Sequence, residues 1–361
     1  MTDISVVNLT ADLTAQVRVS STDLVARIPY AELALSPEGV PLVADPAASR
    51  GVRARYQTPK GGRAGCCGTS IEVGAGGDVE SSFAVGRWSN GSWFTHVCIN
   101  SGGTIEIIKN AAIGGLTLGG IATLMTDVEI GDAYIDVAIK RGPCLPFNTE
   151  SLFIGIGTDE AESFYVTNWT DITGGRRIEF LAGTATKAHA AGTDVEWGMI
   201  GNFARDFEGL DLDLIFIGGP RNNTGQPGWT AENCALGQQV LAGLAIEHGA
   251  APVLCTITPS SSVSGSGGAD DTDDANRAIR NSVREHRHLW ADLYQATVDP
   301  QTRYPRPTCT NDGLHLNQEG SQRAGNAVWR EVLDAMELRA EPRRLSYADD
   351  NTENALPSAN F

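Results

Sequence analysis

Residues 210–223 read LDLDLIFIGGPRNN: an unbroken apolar run, LIFI, stopped by two glycines and followed by polar residues. Consecutive apolar residues without alternation suit a strand buried on both faces, and the glycines mark a turn at its C-terminal end. APVLCTITPS at 251–260 has the same form. Upstream, RAGCCGTSIEVG at 63–74 runs from small apolar residues into a glycine turn, and GTIEIIKNAAIGG at 103–115 is β-branched before its own glycines. Helical patterns lie between and after these runs at 232–249, 273–294 and 317–339, with acidic or polar starts and basic ends. Strands alternating with helices predict an α/β chain whose parallel sheet is covered on both faces. Functional groups in such a sheet gather at the C-terminal ends of its strands.

One stretch breaks the rhythm. From about 127 to 197 the chain reads AYIDVAIKRG, SLFIGIG, ESFYVTNW, GRRIEFLAG and TDVEW, short β-like segments split by turns. This predicts a small all-β module inserted into the α/β domain. The expected division is an N-terminal arm or small β element at 1–60, an α/β domain in two parts at 61–126 and 198–339, the insert at 127–197, and a polar tail at 340–361.

Composition narrows the function. The 361 residues, 41% hydrophobic and 20% charged, suffice for a sizeable core. A formal charge of -17, from 44 acidic and 27 basic residues, argues against nucleic acid or an anionic membrane surface as a partner. No apolar run has the length of a membrane span, and the opening MTDISVVNLTADLTAQ has no export-signal pattern. Cys66, Cys67, Cys98, Cys144, Cys234, Cys255 and Cys309 are odd in number and scattered without metal-type spacing, so they read as reduced core thiols and not as a metal site.

Chemistry concentrates in TCTNDGLHLNQEG at 308–320, where Asp312 stands three residues before His315. A carboxylate and an imidazole so close can form a turn, a metal half-site, or the acid and base of a triad. The other strand ends carry matching groups: Ser70 in GTSIEVG, Gly115 in NAAIGGLT and Asn222 in GGPRNN. In this order the segments resemble the four blocks of the SGNH (GDSL-type) hydrolase family, over roughly 63–126 and 199–337. The resemblance implies a three-layer, flavodoxin-like fold and a serine esterase without cofactor. It implies Ser70 as nucleophile, His315 as base, Asp312 as orienting carboxylate, and an oxyanion hole of Ser70, Gly115 and Asn222. Thr69 stands where the family has aspartate before the serine, and Asn223 where it has aspartate after the asparagine. The oxyanion amide can therefore shift to Asn223; Gly114 adjoins Gly115 and is the alternative glycine, with Gly115 preferred because Ile113 then takes the family's apolar position two before it.

The 107 positions between Gly115 and Asn222 accommodate the insert. Its phrase GTATKAHAAGT at 183–193 resembles short β modules of bacteriophage tail and baseplate proteins, which implies a virion component with other tail proteins as partners. The expected substrate is then an acyl ester, such as an O-acetyl group on host-surface polysaccharide. The alternatives are a lipase-like or thioesterase activity and a non-catalytic tail protein that keeps the fold. Ser89 and Ser92 are the competing nucleophiles. His96 and His189 read as structural, His286 and His288 as a solvated helix face, and the acidic run GADDTDDAN at 268–276 as helix capping.

Overall fold

The computed structural model describes residues 62–75, 91–102, 104–143, 151–181, 183–226, 228–261 and 268–335, with five further strands nearer the N-terminus. Among these, β1 (Ile4–Leu9), β2 (Thr14–Val19) and β3 (Leu24–Pro29) form an antiparallel sheet, and β4 (Leu42–Ala44) pairs with β5 (Val52–Ala54). Ser89, Cys144 and the tail from residue 340 lie outside the described residues.

The α/β domain starts with β6 (Gly62–Cys67), which turns through Gly68 and Thr69 into the short helix α1 (Ser70–Val73). Helix α2 (Trp93–Asn100) leads to β7 (Ile105–Asn110). The chain then leaves the sheet for β8 (Gly120–Leu124), β9 (Tyr134–Arg141), β10 (Ser151–Ile154), β11 (Glu162–Ile172), β12 (Gly175–Phe180) and β13 (Asp194–Trp197), which close into a barrel. It returns through α3 (Gly198–Phe207) to β14 (Leu214–Ile217), α4 (Ala231–Glu247), β15 (Ala251–Cys255), α5 (Ala269–His286), β16 (Leu289–Ala291), α6 (Leu293–Thr297) and α7 (Gln318–Ala335).

The central sheet has the order β16-β15-β14-β6-β7 with every pairing parallel. Numbered along the domain this is 2-1-3-4-5, the flavodoxin-like arrangement. Alternate residues of β14 serve opposite faces. Leu214 and Phe216 join Trp93, Phe94 and Val328 under α2 and α7, whereas Ile215 and Ile217 join Phe207, Leu241 and Ile279 under α3, α4 and α5. That two-sided burial explains why LIFI is apolar throughout.

The barrel has its own core, including Val137, Leu152, Ile154, Val166 and Trp197. It enters and leaves through adjacent strands, since Trp197 of β13 pairs with Gly120 of β8. The two chain crossings pack so closely that Gly119 and Gly198, both at positive φ (69° and 67°), leave no room for a Cβ. The first barrel strand thus begins at Gly120, within the stretch that the sequence division assigned to the α/β domain. A second difference concerns 273–294, expected as one helix. The helix ends at His286, Arg287 caps it in the left-handed region (φ 56°), and Leu289–Ala291 become the edge strand of the sheet.

Candidate active site

Parallel topology brings the expected groups to one rim. Ser70 is the first residue of α1, directly beyond the C-terminal end of β6. The loop before α7 carries Asp312 and His315. His315 Nε2 lies 3.0 Å from Ser70 Oγ, and His315 Nδ1 lies 2.7 Å from Asp312 Oδ2. In the tautomer that donates Nδ1–H to the carboxylate, Nε2 is the acceptor and faces the hydroxyl of Ser70.

The loop is built for this geometry. Asp312 Oδ1 accepts the backbone N–H of Leu314 (2.9 Å) and of His315 (2.8 Å), and the Thr310 hydroxyl at 3.2 Å. Gly313 turns the chain at φ 79°. Asn317 Oδ1 accepts Gly320 N at 3.0 Å at the start of α7, while its Nδ2 donates to Thr308 O at 3.0 Å. Partial burial by itself pushes the Asp312 carboxyl up. The His315 ring N–H and the two backbone amides outweigh it and hold the group at about 2.

The asparagines of the 3-10 turn Arg221–Asn223 take different environments. Asn222 is half-buried and its Nδ2 donates to Leu116 O at 2.8 Å, tying it to the loop of Gly114 and Gly115. Asn223 is fully buried and its Oδ1 holds Leu118 N at 3.0 Å. Of the glycines, Gly114 faces the nucleophile, since a Cβ built on it would lie 3.8 Å from Ser70 Cβ; Gly115 sits in open space at φ 81°. Arg221, 2% exposed, donates from Nη1 to Thr272 Oγ1 (2.7 Å) and Thr258 O (3.3 Å), pinning the turn to the start of α5. Burial lowers its guanidinium to about 10.

The competing residues have structural roles. Ser92 is fully buried and donates to Glu72 O at 2.6 Å. His189 lies 2.7 Å from Glu162 inside the barrel module. His286 is exposed as expected, but His288 lies past the helix end, half-buried against Gln239 at 2.9 Å, and burial lowers it to about 4. The acidic run caps α5 through Asp271 Oδ2, which accepts Gly268 N at 3.2 Å. The six described cysteines are buried and none is in a disulfide. Among the described residues there is no cluster of potential metal ligands, and no helix is long and apolar enough to cross a membrane.

Sequence reasoning missed Glu72. Its carboxyl is 1% exposed beneath the serine turn and accepts Thr69 N at 2.7 Å, Thr69 Oγ1 at 3.0 Å and Trp93 Nε1 at 3.1 Å. The signal was available, because Thr69 followed three residues later by Glu72 is a capping box.

No protein-family model matches the chain, and no curated protein matches its sequence. Among solved structures, the aryl esterase of M. smegmatis is similar at 14% identity and a TM-score of 0.44, over 76% of this chain and 99% of that one. A carbohydrate acetylesterase from Sinorhizobium meliloti aligns at 14% identity and a TM-score of 0.43, over 75% and 97%. A GDSL-like lipase from Bacteroides thetaiotaomicron aligns at 11% and 0.42, over 76% and 88%. Similarity this distant leaves the chemistry to be judged from the residues themselves.

Proposed function

We propose that the protein is a serine esterase of SGNH type. The observation that carries this reading is the continuous relay from Asp312 Oδ2 through the His315 ring to Ser70 Oγ, with contacts of 2.7 and 3.0 Å. As Ser70 Oγ attacks the ester carbonyl, His315 Nε2 takes its proton, and Asp312 stabilises the imidazolium. Negative charge develops on the former carbonyl oxygen, facing the Ser70 amide, the glycine loop and the Asn222 amide. Collapse expels the alcohol, which receives the proton from Nε2. Water, deprotonated by the same nitrogen, then adds to the acyl carbon; the bond to Oγ breaks, the acid leaves, and Nε2 returns its proton to Ser70 Oγ.

The substrate in this reading is a small acyl ester, including O-acetyl groups on polysaccharide. The place on a virion rests on the inserted module at 127–197 and its phrase at 183–193, and immunogold labelling of purified particles tests it. The activity is tested with p-nitrophenyl acetate and a fluorophosphonate probe. We expect hydrolysis and a covalent adduct on Ser70, both lost in Ser70→Ala. An adduct on another serine, or none together with no hydrolysis of short or long esters, refutes the assignment.

A further inference from the structure

Resting on that reading, we propose that Glu72 is a positioning residue for the reaction, holding the Ser70 turn and the glycine loop in mutual register. Its side chain is a wedge between two strand ends. Gly68 follows β6 and Gly218 follows β14, and a Cβ on either would collide with the Glu72 carboxyl group. From this slot Oε2 accepts both the amide and the hydroxyl of Thr69, the residue before the nucleophile, and Oε1 accepts the indole N–H of Trp93 on α2. The main chain of Glu72 extends the link. Its carbonyl accepts Ser92 Oγ at 2.6 Å and Asn110 Nδ2 at 3.0 Å. Asn110 Oδ1 in turn accepts Ala112 N at 3.1 Å, two residues before Gly114. One residue therefore connects the nucleophile, both flanking strands, α2 and the chain that leads into the oxyanion loop.

The chemistry asks for a carboxylate here. Backbone N–H, hydroxyl and indole N–H converge on two oxygens, which an ionised carboxyl satisfies as a pure acceptor. Glutamine offers one oxygen and one NH2 group, so it can serve Thr69 or Trp93 but not both. Aspartate is a methylene too short to span the slot. Burial raises the Glu72 carboxyl above its ordinary value while its hydrogen-bond donors pull it back, so the slot is costly to fill with charge and the donors are what stabilise it.

A purely structural cap would change stability and leave the reactivity of the folded fraction alone. The test is therefore the second-order rate of Ser70 labelling by a fluorophosphonate, together with kcat and KM on p-nitrophenyl acetate, in full-length protein checked by thermal melting. Because misplacing a reacting group by about 1 Å can cost on the order of 100-fold, Glu72→Gln is expected to lower both labelling rate and kcat by roughly 10-fold to 100-fold at unchanged KM. Asn110→Ala, at a half-buried position, carries the test if Glu72→Gln fails to fold, with an expected loss in kcat of about 10-fold. A folded Glu72→Gln, or in its place Asn110→Ala, that labels and turns over at the wild-type rate overturns the positioning role. Wild-type protein that takes no label at Ser70 overturns the esterase reading, and this inference with it.

Discussion

Asp312→Asn should abolish most turnover while sparing the fold, and the reason lies in which way the new amide must face. Asp312 Oδ1 accepts the backbone amides of Leu314 and His315, at 2.9 and 2.8 Å. If the asparagine NH2 occupied that position, it would meet two N–H donors. The amide oxygen therefore stays there, and the NH2 replaces Oδ2, 2.7 Å from His315 Nδ1. An N–H donor at that point forces Nδ1 to accept, so the ring proton moves to Nε2, which then points a hydrogen at Ser70 Oγ and can no longer take one. The equivalent change at a buried triad carboxylate costs about 10,000-fold in kcat. Here the Asp312 side chain is 53% exposed, and solvent screens part of the charge, so the expected loss is nearer about 1,000-fold, inside the roughly 100-fold to 10,000-fold range of general-base catalysis. The assay is kcat on p-nitrophenyl acetate near neutral pH, with melting temperature as the control. A folded Asp312→Asn enzyme within 10-fold of wild type would mean that the carboxylate only shapes the turn.

The two asparagines should separate cleanly: Asn222→Ala is expected to cost about 100-fold to 1,000-fold in kcat with little change in KM. Asn223→Ala should instead lower the melting temperature, because the buried Leu118 N–H loses its acceptor, at a cost of about 1–3 kcal/mol; the reverse pattern would shift the oxyanion amide to Asn223. Acid should remove the stability that Asp312 contributes: its folded pKa of about 2 lies below the unfolded value, about 3.9, so the contribution is present above about pH 4 and lost as pH falls through about 2. Urea melts of wild type and Asp312→Asn should therefore converge over that interval. Replacing residues 120–197 by a short Gly/Ser linker should spare p-nitrophenyl acetate hydrolysis, since Met199 N and Ile200 N bond to Thr117 O and Leu118 O at 2.9 and 2.8 Å and hold the crossing without the barrel. Loss of activity in a folded deletion would place part of the site in the barrel.

What the sequence disclosed follows the range of the interactions involved. DGLHLNQEG was legible because nearly everything that shapes it is local: Asp312 bonds to residues two and three positions on, Gly313 supplies the positive φ, and Asn317 caps the helix that follows. Four of the five central strands announced themselves as apolar runs ending in glycine or polar turns. The fifth, Leu289–Ala291, was lost because a three-residue edge strand directly after a helix has too few residues to show a period. Glu72 was written in a recognisable capping pattern, yet its importance depends on Gly68, Gly218, Trp93 and Asn110, which only the fold assembles. The same holds for the central contact. Ser70 and His315 are 245 positions apart, and no local pattern says that they touch. Topology does. With β6 inside the sheet and α7 packed beside α2 on one face, the loop entering α7 must pass over the C-terminal end of β6. A serine placed first after that strand and a histidine placed three residues before that helix then meet without further design.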